Sequence, residues 1–347
     1  MTSIKYSILI PCYQTEPSLL SRCIKSILAT DRFDIEVILV EALLDGKSSY
    51  DQIQLKDPRL HYFVSSVASA PYQRNLTLQK ATGDFLVFVD SDDYISTNYF
   101  RFLDSALSDF SSSDLIVMSH SSDSSFYEGP YSKNDFMVSS SQSEIETWFS
   151  SFKKKGPVFE GKSLWAKAFK RSIVVEHHLQ FDLSLKSSQD HFFVMRYLSF
   201  CKEVAVADKY KLYHFDISPF SMSPKASTNS PERYRSLLDA WDTFFKENGM
   251  SKVRLKDWAY NVSAIYLPRM LVFFFFTFKS EKSKKDIRKE FKSVFVDARY
   301  RKAIKACPYS SCLNFKKKIQ LFLLKLHCYG LYFNFFWRVY RQGQSLK

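Results

Sequence analysis

Four consecutive residues, Asp90, Ser91, Asp92 and Asp93, carry the clearest chemical signal in this 347-residue chain. They follow the apolar run at residues 85–89 (FLVFV) directly. Three carboxylates at the open end of a strand repel one another. They become stable when a hard divalent cation takes their oxygens, and Mg2+ or Mn2+ suits carboxylates and phosphates together. The same residues would also serve as a surface turn, with an aspartate capping a helix that starts near residue 97.

The elements that must position these carboxylates alternate between strand and helix. Residues 6–11 (YSILIP), 36–41 (EVILVE), 61–64, 85–89 and 115–118 read as short apolar strands. Between the first two, Leu19, Leu20, Cys23, Ile24, Ile27 and Leu28 recur at helical spacing. A second helix is expected over 71–82, with Pro71 in its first turn and Gly83 just past its end. That order predicts an α/β fold, a mostly parallel sheet flanked by helices, with ligands at the carboxyl ends of the strands. Residues 121–160 are Ser-rich and aromatic and read as hairpin and loop. Residues 218–231 hold three prolines and read as a flexible loop. From 232 onward the pattern is helical, with Leu237, Leu238, Trp241, Phe244 and Phe245 on one face and further helices over 253–278, 282–305 and 316–341. A boundary near 230 therefore separates residues 1–230 from 231–347.

Charge follows the same division. Residues 251–347 hold 22 Lys and Arg against 5 Asp and Glu, while the first 250 are slightly acidic, so the net +13 comes from the C-terminal quarter. Such asymmetry points to a segment facing a polyanion, either an anionic membrane or a nucleic acid. In residues 314–341 the cations stand among Phe, Tyr and Leu, which suits a lipid headgroup interface. A solvated basic face and an oligomerisation surface are the other readings of these helices. The six cysteines form no C-x-x-C pair and no zinc spacing, and are expected to be reduced cytosolic thiols. No signal peptide or membrane span is expected; the run 270–278 is too short.

Taken in order and spacing, the segments YSILIPCY (6–13), EVILVE (36–41), QRNLTLQKATGDFLVFVDSDD (73–93), LWAKAFKR (164–171), QDHFF (189–193) and YHF (213–215) resemble the family 2 glycosyltransferases. These are inverting enzymes of the GT-A fold that use nucleotide-diphosphate sugars. The resemblance covers about residues 4–225. It implies a Rossmann-like sheet in a nucleotide-sugar domain, followed by a basic helical region.

It also implies roles. Pro11 and Tyr13 would cradle the nucleoside, although Tyr13 could equally pack in the core. Glu41 stands where the family has an Asp that accepts from uracil N3, followed by EALLDGKSS in place of a tighter acidic-Gly-Ser turn, with Asp45 inside it. Arg74 would pair with Asp90 or a phosphate oxygen, a structural ion pair being the alternative. Asp90 and Ser91 would face the nucleotide sugar, Asp92 would bind Mn2+ or Mg2+ directly with Asp90 beside it, and Asp93 would brace the loop. His214 matches a late metal or phosphate ligand. Trp165, with Lys167 nearby, falls on the acceptor side, where the C–H faces of a pyranose pack on an aromatic ring. Asp190 would be the catalytic base, kept ionised at a helix start, with Gln189 where the family has a first acid. Ser221 and Lys225 lie in a loop that could fold over the diphosphate.

The expected protein is thus a cytoplasmic, membrane-peripheral glycosyltransferase, moving a sugar from a donor, UDP-linked by family habit, to a glycan or lipid-linked glycan. Homo-oligomers stay open. A nucleic-acid-binding protein with an α/β head is the competing class, against which no recognition motif is found. A nucleotidyltransferase would need a Gly-rich phosphate loop, which the eight glycines do not form. A non-catalytic scaffold of the same fold stays open through Glu41 and Gln189.

Overall fold

The computed structural model describes residues 5–44, 46–53, 55–123, 126, 129–185, 188–216, 230–264 and 283–344. Asp45, the run 270–278, and most of the 218–231 loop with Ser221 and Lys225 lie outside them. The chain divides into two compact units, Met1–Phe149 with Pro157–Ser221, and Ser150–Gly156 with Met222–Lys347.

In the first unit, β1 (Tyr6–Tyr13) lies between β2 (Ile35–Ala42) and β4 (Phe85–Phe88), with β3 (Leu60–Ser65) outside β2. All three pairings are parallel. β2 is buried along its whole length and β1 along most of it. Such strands need apolar residues on both faces, which is why YSILI and EVILV read as continuous runs. Each fully buried Ile, Leu or Val contributes roughly 1.5–3 kcal/mol. Pro11 is tolerated because β1 has by then outrun its β4 neighbour, whose last partner is Leu9.

Beyond β4 the sheet becomes mixed. β8 (Lys167–Lys170) runs antiparallel to β4 and to β6 (Leu115–Ser121), while β9 (Val204–His214) runs parallel to β6. β5 (Tyr94–Ile95) and β7 (Met137–Ser139) pair antiparallel with β9. Among the described residues the order is β3-β2-β1-β4-β8-β6-β9-β5, with β7 also on β9.

Helices cover the sheet. In α1 (Pro17–Leu28), the Glu16 side chain accepts from Leu19 N at 3.1 Å and proline opens the first turn. Its buried residues, Leu20, Cys23, Ile24 and Ile27, form the i, i+3, i+4, i+7 stripe expected from the sequence. α2 (Ser49–Ile53) and α3 (Ala70–Lys80) follow β2 and β3, and α4 (Tyr99–Asp109) precedes β6. The 121–160 stretch, read as hairpin and loop, contains α5 (Gln142–Phe149). Its apolar stripe is only Ile145, Trp148 and Phe149, one turn in a Ser-rich context. α6 (Arg171–Glu176) and α7 (Gln189–Leu198) complete the unit.

The described residues of the second unit are mainly helical. α8 (Ser230–Asn248) and α9 (Lys252–Ala259) bury Trp241, Phe244, Phe245 and Trp258. The expected helix at 282–305 is two, α10 (Lys284–Val294) and α11 (Ala298–Ala306), because Asp297 caps the second through Arg299 N at 2.9 Å. The expected helix at 316–341 is also two, α12 (Phe315–Lys325) and α13 (Tyr329–Gln344). Between them His327 adopts a left-handed φ of 57°. Five of the six free cysteines are buried and only Cys328, before α13, is partly exposed. No helix of the described residues is long and apolar enough to cross a membrane.

Candidate active site

Strand order reverses at β1, which has β2 on one side and β4 on the other. A crevice opens at the carboxyl ends of strands at such a point. Pro11 and Tyr13 end β1, Glu41 nears the end of β2, and Asp90 to Asp93 follow β4. The loop after β1 is pinned there: Thr15 Oγ1 lies 2.6 Å from Ser91 Oγ, and Ser49 Oγ donates to Thr15 O at 2.5 Å. Tyr13 is half-buried and Ser91 is buried.

α3 is unusual in what it buries. Gln73, Arg74, Asn75 and Thr77 all face inward. A helix that buries polar residues must find them partners, and here Thr77 bonds back to Arg74 O while the other three reach other elements, with only Arg74 Nε left without a partner. Gln73 Nε2 donates to the backbone oxygens of Cys12 and Val40. Asn75 exchanges two hydrogen bonds with the Phe181 backbone, at 2.9 and 2.7 Å, fixing the chain ahead of α7. Arg74 joins two carboxylates distant in sequence: Nη1 donates to Asp190 Oδ1 at 2.6 Å and Nη2 to Asp90 Oδ1 at 3.3 Å. Asp190 sits in the first turn of α7 after Ser188 at φ 59°. The guanidinium is almost fully buried, while about a third of each partner carboxylate is exposed.

The electrostatics follow from this crowding. Burial raises Asp92 to about 6, and the charge of Asp90 adds to it. Burial and Asp90 also push Asp93 well above the usual carboxylate range, against a Tyr213 hydroxyl that donates to it at 2.5 Å. That hydroxyl also accepts from Asp90 N at 3.1 Å. Asp190 is raised by burial, and the Arg74 guanidinium pulls it part of the way back. Among the described residues no three His, Cys, Asp or Glu side chains gather into a ready-made metal cluster. The Asp90–Asp92 pair nevertheless fits a hard cation: two repelling carboxylates, one held partly protonated near neutrality. Such a site takes its remaining ligands from substrate phosphates and water, as Mg2+-type sites do.

Residues 7–165 match the model of glycosyl transferase family 2. The chain carries a family 2 glycosyltransferase domain. It is 23% identical over 319 residues to the uncharacterized glycosyltransferase EpsJ of Bacillus subtilis (strain 168), covering 87% of each chain. Among solved structures it is similar to residues 1–349 of S. aureus TarS in complex with UDP-GlcNAc. That likeness has a TM-score of 0.66 at 17% identity, covering 98% of this chain and 92% of that one. The mannosyltransferase PcManGT of Pyrobaculum calidifontis, in complex with GDP-Man and Mn2+, gives 0.51 at 13% identity over 94% and 88%. The fold is GT-A, with a C-terminal helical region.

Four further residues singled out by sequence, Glu41, His214, Trp165 and Lys167, have contacts of their own. Glu41 is fully buried and its carboxylate is occupied. Oε1 accepts from Ser49 N at 2.7 Å, and Oε2 from Ser48 Oγ at 2.7 Å and Tyr62 OH at 2.9 Å. These bonds secure the loop that follows β2. His214 stacks on Tyr94 at 4.2 Å and its Nδ1 has no hydrogen-bond partner. Trp165 is half-buried, stacked on Tyr213 at 5.2 Å and Phe215 at 5.8 Å. Ala166, at φ 56°, follows it. Lys167 is buried, with Nζ donating to Glu160 O at 2.8 Å and Ser163 Oγ at 3.2 Å.

Sequence reasoning missed Arg22, Thr15, Tyr213 and Asp216. Arg22 donates to Asp92 O at 2.8 Å, pairs with Asp216 and lies 4.5 Å from the Tyr94 ring. Asp216 N in turn donates to Asp93 Oδ1 at 2.8 Å. Arg22 stands off the apolar stripe of α1 with no motif around it, so its sequence reads as an ordinary polar helix position. Tyr213 was visible only as part of YHF.

Proposed function

We infer that this protein is an inverting, metal-assisted glycosyltransferase, taking a sugar from a nucleotide-diphosphate donor, UDP-linked by family habit, to a hydroxyl of a glycan or lipid-linked glycan. The observation that carries this reading is the Arg74 bridge. One buried cation holds the aspartate beside the metal position and the aspartate at the start of α7. In this reading Asp190 is the catalytic base and removes the acceptor proton as the oxygen attacks the anomeric carbon. Its raised affinity for protons suits that task. Arg74 orients it and Gln189 leaves it the only acid of its pair. Asp92, with Asp90, would hold the divalent cation, Mn2+ or Mg2+, which when bound offsets charge on the leaving diphosphate. Pro11, Tyr13 and Ser91 line the donor crevice, and Trp165 offers the acceptor a ring. We assign Glu41 to the donor-side loop as its anchor, through Ser48 and Ser49. His214 we assign to packing on Tyr94. Attack opposite the leaving group gives inversion in one displacement, so no enzyme nucleophile is required.

The setting we propose is surface polysaccharide synthesis at the inner face of the cell membrane, with residues 1–230 as the transferase domain and the basic helices of 231–347 as peripheral contact. Thermal stability in the presence of nucleoside diphosphates and UDP-sugars, with and without Mn2+, tests the donor site. Ligands that bind only the native state raise the melting temperature, by about 2.7 kcal/mol of stability at a hundredfold excess over Kd. A Mn2+-dependent rise with a UDP-sugar in wild type, absent in Asp92→Ala, is expected. No rise with any nucleotide in either condition would overturn the transferase reading.

A further inference from the structure

α12 presents an apolar crest to solvent. Phe315, Ile319 and Phe322, with Leu326 at its C-terminal cap, are 75%, 45%, 50% and 55% exposed. Their spacing of i, i+4, i+7 and i+11 puts all four on one narrow stripe, while Leu321 and Leu324 turn inward from the opposite side. A soluble helix normally carries polar residues where these four stand. Lysines flank the crest instead of interrupting it: by helical position Lys316 stands on one side, and Lys318 and Lys325 on the other. In α13, Leu331 and Phe335 repeat the motif one turn apart, 62% and 49% exposed, with Arg338 also exposed.

We propose that the Phe315–Ile319–Phe322–Leu326 crest with its flanking lysines is an interfacial membrane anchor that takes anionic phospholipid. The proposal gives the peripheral contact named above a defined surface, and it stands independently of the transferase chemistry. Rings and branched chains enter the headgroup and acyl boundary while ammonium groups stay at the level of the lipid phosphates. Charge selects the occupant. A second copy docking on the same face through a two-fold axis would bring lysine rows against each other, in a region of net +17. A negatively charged bilayer meets the same rows with opposite sign.

Co-sedimentation of the full chain with phosphatidylglycerol–phosphatidylcholine vesicles, and with phosphatidylcholine vesicles alone, tests this. Binding to the anionic vesicles is expected, weakened by salt and at least about tenfold weaker to the neutral ones. Phe315→Ser with Phe322→Ser, and separately Lys316→Glu with Lys318→Glu, should each weaken it about tenfold or more. The substituted positions are exposed, and an unchanged melting temperature checks that each variant folds. The nucleotide-induced thermal shift should persist in both, so failure of the anchor and failure of the donor site are read separately. Equal binding by wild type and both variants would overturn the proposal. So would concentration-dependent self-association that the phenylalanine variant abolishes while no vesicle is bound.

Discussion

One guanidinium, that of Arg74, holds two carboxylates from different elements, and in the proposed reaction it sets the protonation of the base. A carboxylate base works only when ionised, so activity falls as pH drops through its pKa. Asp190 already stands above the ordinary carboxylate range because it is partly withdrawn from water, and Arg74 holds it down from rising further. Arg74→Met removes that restraint. Its kcat/KM should fall about tenfold to a hundredfold, and the acid limb of its pH profile should move to higher pH. A limb that stays in place would show that Arg74 only braces the fold. Arg74→Lys keeps the charge without the fork and should retain more of the wild-type limb than of the rate. Of this group, Asp90 and Asp92 stood out as clustered acids after an apolar strand, and Asp190 only through the resemblance, since an acid before a helix is by itself an ordinary cap. The Arg74–Asp90 pair was expected from the resemblance; that Arg74 also reaches Asp190 was not legible, because Asp190 lies 116 residues away in sequence. Glu41 was legible by type and place as a donor-side residue, but its bonds to Ser48, Ser49 and Tyr62 were not, because nothing in the run that follows β2 marks those partners.

At the scale of elements, the junction between α3 and β4 fixes where the carboxylates emerge. Gly83 packs so tightly there that a Cβ would come within 2.8 Å of Ser7 N and 2.9 Å of the Tyr6 carbonyl carbon. Its N–H donates to Ser7 Oγ at 2.8 Å, and the buried Glu36 accepts from Ser7, Thr82 and Gly83 together. Backbone cannot retreat as a side chain can. Gly83→Ala should therefore destabilise the first unit by about 1–3 kcal/mol, read as a lower denaturation midpoint. The parallel strands and the helices over 17–28 and 70–80 were legible because long buried runs and apolar stripes leave strong periodic signals. The antiparallel β5, β7 and β8, of two, three and four residues, were not. Strands that short are specified by their neighbours rather than by their own pattern. The C-terminal helices were anticipated as helices, but their breaks depend on single residues, Asp297 as a cap and His327 in a left-handed turn.

For the whole molecule, clustered carboxylates cost stability that the proposed cation would restore. In the unfolded chain Asp92 ionises at an ordinary value of about 3.9, and in the folded protein at about 6. Between these values the native state holds a proton that the unfolded state has lost, so stability falls as pH rises through that window. Asp92→Asn removes this dependence. In metal-free buffer the variant should gain in melting temperature over wild type as pH is raised from about 4 to about 6, with the gain level above that. Mn2+ should raise the wild type most above about pH 6, where the carboxylate is ionised, and the variant little. A wild-type advantage that widened with pH in the absence of metal would contradict the account.

Cysteine accessibility has a practical consequence. Cys12 and Cys23 are sealed beneath the carboxylate loop, Cys201 is buried in the first unit, and Cys307 and Cys312 are buried in the second. Cys328 is the one thiol open to reagents, two residues past Leu326 and three before Leu331. The native chain therefore carries a single natural attachment point for a fluorophore or spin label. That point adjoins the apolar crest, so a reporter of local polarity can be placed there without engineering any residue.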